Sequence, residues 1–137
     1  METQIFTKEN LDIAAKALQQ GEIVSFPTET VYGLGAIATS QEAVLKVFEA
    51  KGRPSDNPLI VHISDIQQMT STVEGVPEIA LTLAKAFWPG PLTMILKAKP
   101  GIYAPALSAG LPTVSFRTPN HPLTLELISK VGIPLVG

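Results

Sequence analysis

The chain of 137 residues contains two arginines, Arg53 in "KGRPSDNP" and Arg117 in "TVSFRTP", and every other basic residue is a lysine. Each arginine adjoins a strand-like apolar run. A guanidinium is a planar fork that matches phosphate or carboxylate with two parallel hydrogen bonds. Lys51, two residues before Arg53, adds a mobile point charge. The chemistry these residues suit is the holding of an anion. The absence of cysteine removes thiolate nucleophiles, thiolate metal sites and disulfides. A second reading stays open for Lys51 and Arg53, since cations also gather at helix ends against the negative end of the dipole.

Other polar residues fall at the ends of predicted strands. In "FPTETVYGLGA", Thr28, Glu29 and Thr30 follow a proline-fixed turn. Their side chains suit a small polar ligand, or equally the local side-chain-to-backbone bonds of a strand end. "GLGAIA" matches G-x-G-x-x-A, yet the preceding strand ends at Phe26 and the next helix starts near Ser40. That is too far for a helix N-terminus to hold a pyrophosphate. The segment reads instead as glycine-rich backbone permitting close approach. In "LIVHI", alternation puts Leu59, Val61 and Ile63 on one face and Ile60 with His62 on the other. His62 is either a satisfied core residue or a site residue. His121 lies in a helix first turn, and two histidines without a carboxylate pattern do not make a zinc site. Ser115 and Arg117 share parity, hence a sheet face. Arginine is rarely buried unpaired, so Arg117 either pairs with a carboxylate such as Asp56 or faces an anionic ligand. Thr93 in "WPGPLT" is another polar group beside an apolar strand.

The elements that must position these residues alternate. "TKENLDIAAKALQQG" is a predicted helix, with Thr7 as its cap and Gly21 at its end. The strand "EIVSF" follows. "TSQEAVLKVFEAKG" is a second helix, with Thr39 and Glu42 as a capping box. "PLIVHI", apolar on both faces, is a central strand. Ser64 caps a short helical turn. "PEIALTLAKAFW" is a helix, "LTMILK" a strand, "GIYAPALSAGLP" a loop, "TVSF" a strand, "HPLTLELISKVG" a helix and "PLVG" the start of a strand. This mixture predicts an α/β or α+β class.

Composition bounds the function. The length suits one domain. With 45% hydrophobic and 16% charged residues the chain is globular, and a formal net charge of −2 gives no global field for nucleic acid. The N-terminus is polar from its second residue, unlike a secretory signal. The longest uncharged run, Pro100 to Phe116, is broken by proline and glycine, which argues against a membrane span. A cytoplasmic location is expected.

Taken in order, "FPTETVYGLGA", "KGRPSDNPLIVHI", "WPGPLT" and "TVSFRTPNHP" closely resemble the successive motifs of the YrdC/Sua5 family, the threonylcarbamoyl-AMP synthases. The resemblance runs from about Gly21 to the end. It implies an α/β fold with a twisted, mixed, largely parallel sheet and flanking helices around a positively charged cavity. It implies a nucleotidyltransferase that forms threonylcarbamoyl-adenylate and pyrophosphate from L-threonine, bicarbonate and ATP, with Mg2+ accompanying ATP and no protein-held metal. The product serves t6A37 modification of tRNA. Partners it implies are tRNA or double-stranded RNA and other proteins of the t6A pathway. Carried over by motif, Lys51 and Arg53 clamp phosphates and act catalytically. Thr28, Tyr32, His62 and Arg117 hold threonine or its carbamate. Asn57, Thr93 and Ser115 line the nucleotide side. The family continues past "GIPLV" into a Ser-Ala-Asn motif, so the single domain 1–137 is expected to be incomplete at its C-terminus, with reduced or absent catalysis. The alternative is an RNA-binding module without chemistry, against which the net charge and the lack of a basic, aromatic-interleaved stripe both weigh.

Overall fold

The computed structural model describes residues 10–27, 32–52 and 58–137. Among these residues five α-helices form, α1 (Leu11–Gln19), α2 (Gln41–Lys51), α3 (Gln67–Thr70), α4 (Glu78–Phe87) and α5 (Pro122–Val131), and a 3-10 helix, Pro105–Ser108, forms within the segment read from sequence as a loop. Six strands, β1 (Val24–Pro27), β2 (Tyr32–Ile37), β3 (Ile60–His62), β4 (Met94–Lys97), β5 (Thr113–Arg117) and β6 (Leu135–Val136), make one sheet in the order β1-β2-β6-β3-β5-β4.

The helices form where a 3.6-residue apolar period meets a start and a stop. In α1, Leu11, Ala14, Ala15 and Leu18 make the buried stripe, and in α5 it is Thr124, Leu127, Ile128 and Val131. The two helices pack together. Gln19 Nε2 donates to the Val131 carbonyl at 3.2 Å, and Lys130 Nζ reaches Asp12 Oδ1 at 2.9 Å. The predicted Thr7 cap lies outside the described residues. α2 is capped by Ser40, whose Oγ accepts from the Ala43 N–H at 3.2 Å, in place of the predicted Thr39. Gly52 ends α2 in the left-handed region at φ 63, where a Cβ would be strained. For α3, Asp65 Oδ1 accepts from the Gln67 N–H at 2.8 Å, and Ser64, predicted as the cap, gives its own N–H to Gln68 Oε1 at 2.7 Å.

Two sequence expectations are corrected here. Tyr32–Ile37, read as a glycine-rich segment, is a full strand. It pairs antiparallel with β1 (Phe26 opposite Gly33) and with β6 (Ala36 opposite Val136), and that pairing outweighs the poor strand propensity of glycine. The sheet is mixed, as expected, but not largely parallel. Of its pairings only β3–β5 is parallel; β1–β2, β2–β6, β6–β3 and β4–β5 are antiparallel. The cause lies in the connections. β1–β2 and β4–β5 join antiparallel neighbours directly in sequence, and β6 returns between β2 and β3 in the opposite sense.

The core covers one face of the sheet at β5 and both faces at β6, where the consecutive residues Leu135 and Val136 are both buried. Phe26, Leu59, Val61, Ile63, Phe116, Leu135 and Val136 are all essentially inaccessible. Each such side chain contributes roughly 1.5–3 kcal/mol relative to exposure. Among the described residues no helix is long and apolar enough to cross a membrane.

Candidate functional site

β5 shows strict alternation. Val114 and Phe116 are buried, while Thr113, Ser115 and Arg117 are half-buried on the other face. In and beside β3, Leu59, Val61 and Ile63 are buried on one face, while on the other Ile60 is half-buried and His62 is buried as well. The parallel register sets Ile60 beside Ser115 and His62 beside Arg117. Parity, read from sequence, put Ile60 with His62 and Ser115 with Arg117; the pairing now joins the two faces into one. On the outer strand, Ile95 stands opposite Ser115 and is 65% exposed, so this face of the sheet is open at that edge. His62 and Arg117 are the last residues of the only parallel pair. Open α/β sheets bind ligands beyond such carboxyl ends.

Arg117 has a specific anchor. Its Nη2 and Nε donate to Thr93 Oγ1 at 2.7 and 3.1 Å. Two of its five N–H groups therefore converge on one neutral oxygen, which fixes the plane of the fork without cancelling its charge. Of the two readings offered for Arg117, the carboxylate Asp56 lies outside the described residues. The "WPGPLT" turn holds Thr93 in place. Trp88 Nε1 donates to the Leu92 carbonyl at 2.7 Å, and the Gly90 N–H donates to the carbonyl of Thr118, next to Arg117, at 2.9 Å. The Trp88–Pro89 peptide within this turn is cis.

His62 is 5% exposed, and its ring meets Phe26 edge-to-face at 5.3 Å and 75°. Phe26 belongs to β1, three places away in the sheet. The sequence reading passed over Phe26 as a strand end. The signal that could have found it was the neighbouring glycine run. A Cβ on Gly35 would run into Cε1 of Phe26 and lie 2.7 Å from its Cδ1, and a Cβ on Gly137 would lie 2.8 Å from its Cζ and 3.4 Å from His62 Nε2. The expectation of close approach at the glycine-rich segment is met at this point.

The structure thus brings together four of the predicted site residues: His62, Thr93, Ser115 and Arg117. Tyr32 opens β2 and Lys51 closes α2. Thr28, Arg53 and Asn57 lie outside the described residues. His121 precedes α5 and gives its carbonyl to the Leu125 N–H at 3.0 Å. Among the described residues no three His, Asp or Glu side chains gather as a metal site. The described arrangement can orient a small anion through a fixed guanidinium with an imidazole and a hydroxyl alongside.

Three comparisons bear on this arrangement. A family model described as "Telomere recombination", covering Sua5, YciO and YrdC, matches residues 16–137. A threonylcarbamoyl-AMP synthase of Bacillus subtilis is 57% identical over 124 residues, and one of Pyrococcus abyssi is 51% identical over 125. These alignments cover 90% and 91% of this chain and 36% of each relative, so the chain spans little more than a third of their length. The crystal structure of Pyrococcus abyssi Sua5 complexed with L-threonine superposes with a TM-score of 0.90 at 44% identity, over 98% of this chain and 39% of that one.

Proposed function

The chain belongs to the Sua5–YciO–YrdC family, and from that membership we propose that it carries the substrate face of a threonylcarbamoyl-AMP synthase. Its reaction would join L-threonine, bicarbonate and ATP into threonylcarbamoyl-adenylate with release of water, as the amine and bicarbonate form the carbamate, and of pyrophosphate, for the t6A modification of tRNA. The observation that carries the proposal is the pairing of His62 with Arg117 at the carboxyl ends of β3 and β5, the guanidinium fixed by Thr93. A relative of the same fold has been crystallised with L-threonine.

In this reading Arg117 takes the threonine carboxylate or the carbamate derived from its amine, and His62 hydrogen-bonds the same end. Thr28 and Tyr32 hold the hydroxyl side. Ser115, Thr93 and Asn57 line the approach of the α-phosphate. Lys51 and Arg53 clamp the triphosphate and stabilise charge as pyrophosphate departs. The carbamate oxygen attacks the α-phosphorus, the bond to the β-phosphate bridging oxygen breaks, and that oxygen leaves with its electron pair. No protein nucleophile is needed; holding carbamate and phosphate in line supplies the rate. Mg2+ would arrive bound to the triphosphate, with no residue assigned to it. tRNA, or double-stranded RNA, and other t6A-pathway proteins are the partners.

The test is incorporation of labelled bicarbonate into an adenylate, with calorimetry of ATP and L-threonine separately and together. Label incorporation that requires both threonine and ATP supports the proposal. A chain that binds neither ligand, alone or combined, overturns it.

A further inference from the structure

The contact between Phe26 and His62 is geometrically improbable in a flat sheet. β2 and β6 lie between their strands. Three strand spacings amount to about 14 Å, and side chains stand roughly perpendicular to the sheet. Yet the ring centroids are 5.3 Å apart. The sheet must therefore curl β1 over toward β3, and nothing can stand between the rings. The two positions beneath the phenyl ring are glycines, Gly35 on β2 and Gly137 after β6. A methyl at either would strike Phe26, and at Gly137 it would lie in van der Waals contact with His62 Nε2. The Gly137 N–H donates to the Ile60 carbonyl at 3.1 Å, which fixes that glycine beside β3.

We propose that Phe26 is the positioning residue of His62: its ring, seated over Gly35 and Gly137, sets the plane of the imidazole that faces the substrate. This deepens the functional reading above and rests on its assignment of His62 to the threonine end. Phe26 is fully buried and His62 nearly so. The phenyl ring therefore excludes water from one side of the imidazole and leaves its polar edge a restricted set of directions. An aromatic edge-to-face pair supplies a preference of the right size, equivalent to about 2- to 13-fold in an equilibrium. The two glycines are then part of the same device, since they are the seat that the ring needs.

The experiment is a double-mutant cycle on the full chain, read by calorimetry with L-threonine and by NMR of the imidazole protons of the chain's two histidines. Phe26→Leu is expected to weaken threonine binding about 2- to 13-fold, and to shift the His62 ring signals while His121 stays in place. In a His62→Ala background Phe26→Leu should add less than about twofold, because a residue acting through His62 has nothing left to act on. Should Phe26→Leu fail to fold, Gly137→Ala carries the same test, since its methyl displaces the ring from below. Losses from Phe26→Leu and His62→Ala that multiply would make the phenyl ring a general support of the fold and overturn the proposal. So would unmoved His62 signals in Phe26→Leu and Gly137→Ala. If His62→Ala itself leaves threonine binding intact, the assignment of His62 to the threonine end fails, and the ring signals alone decide whether Phe26 sets the imidazole.

Discussion

Removing the oxygen that anchors Arg117 should weaken threonine binding while leaving the fold intact. Thr93→Val keeps the side-chain shape and replaces Oγ1 with a methyl, deleting both the 2.7 Å and the 3.1 Å hydrogen bond. Hydrogen bonds to a charged group are worth about 1.5–3 kcal/mol when fully desolvated. Arg117 and Thr93 are only half-buried, so water replaces much of what is lost from the unliganded state. What remains is the cost of re-fixing a long side chain on binding, about 0.5–1.5 kcal/mol. At 1.4 kcal/mol per decade this is about 2- to 13-fold in Kd. Titration calorimetry with L-threonine should show that loss for Thr93→Val and less than about twofold for Thr93→Ser, which retains the acceptor. Thermal midpoints should stay close to that of the parent. The reasoning is refuted if Thr93→Val binds threonine as tightly as the parent while Arg117→Ala does not bind, for then the guanidinium needs no anchor.

Three further outcomes are expected. Ser40→Ala should destabilise by about 0.5–2 kcal/mol in urea, because Ser40 caps α2, whereas Thr39→Ala should stay within about 0.5 kcal/mol; the reverse order would restore Thr39 as the cap. Phe116→Ala, removing a fully buried ring that also meets Tyr103 edge-to-face at 5.9 Å, should cost about 3–5 kcal/mol, and a loss under about 1 kcal/mol would contradict the burial. Burial raises the Tyr103 pKa above its ordinary 10.0, with the Thr72 hydrogen bond opposing. A raised folded value means this group's stabilisation is complete below about pH 10 and is lost as pH climbs through the folded value. Tyr103→Phe should therefore be about 0.5–1.5 kcal/mol less stable at pH 7, through the lost 2.8 Å bond to Thr72. That deficit should shrink above pH 10, and a constant deficit would refute the assignment.

Helices were legible in the sequence because their stripes and stops are local. Leu11, Ala14, Ala15 and Leu18, or Leu127, Ile128 and Val131, mark a buried face without knowledge of what covers it. Strand partners were not legible. Gly33 and Gly35 weaken the strand signal of β2, and only its pairing with β1 and β6, the latter about a hundred residues downstream, makes it a strand. The direction of pairing was lost for the same reason. A short run such as "PLVG" does not say whether it will lie along β3 or against it, and here it lies against.

The site divides along the same line. Alternation alone put Ser115 with Arg117 and Ile60 with His62, because parity is a property of one strand. Register, which makes those four residues one surface, is a property of two. The Arg117 anchor illustrates the limit further. Sequence reasoning offered Arg117 either a carboxylate such as Asp56, which lies outside the described residues, or an anionic ligand; the described anchor, a neutral oxygen of Thr93 from a turn bolted to the end of β5, was not foreseen. A neutral anchor suits a binding residue better than a salt bridge would. A carboxylate there would satisfy the guanidinium and compete with any anionic ligand, while a hydroxyl orients the fork and leaves its full charge for the ligand. Among the described residues, then, the fork of Arg117 is positioned by a neutral contact, and that positioning does not consume the electrostatics that an anionic substrate would use.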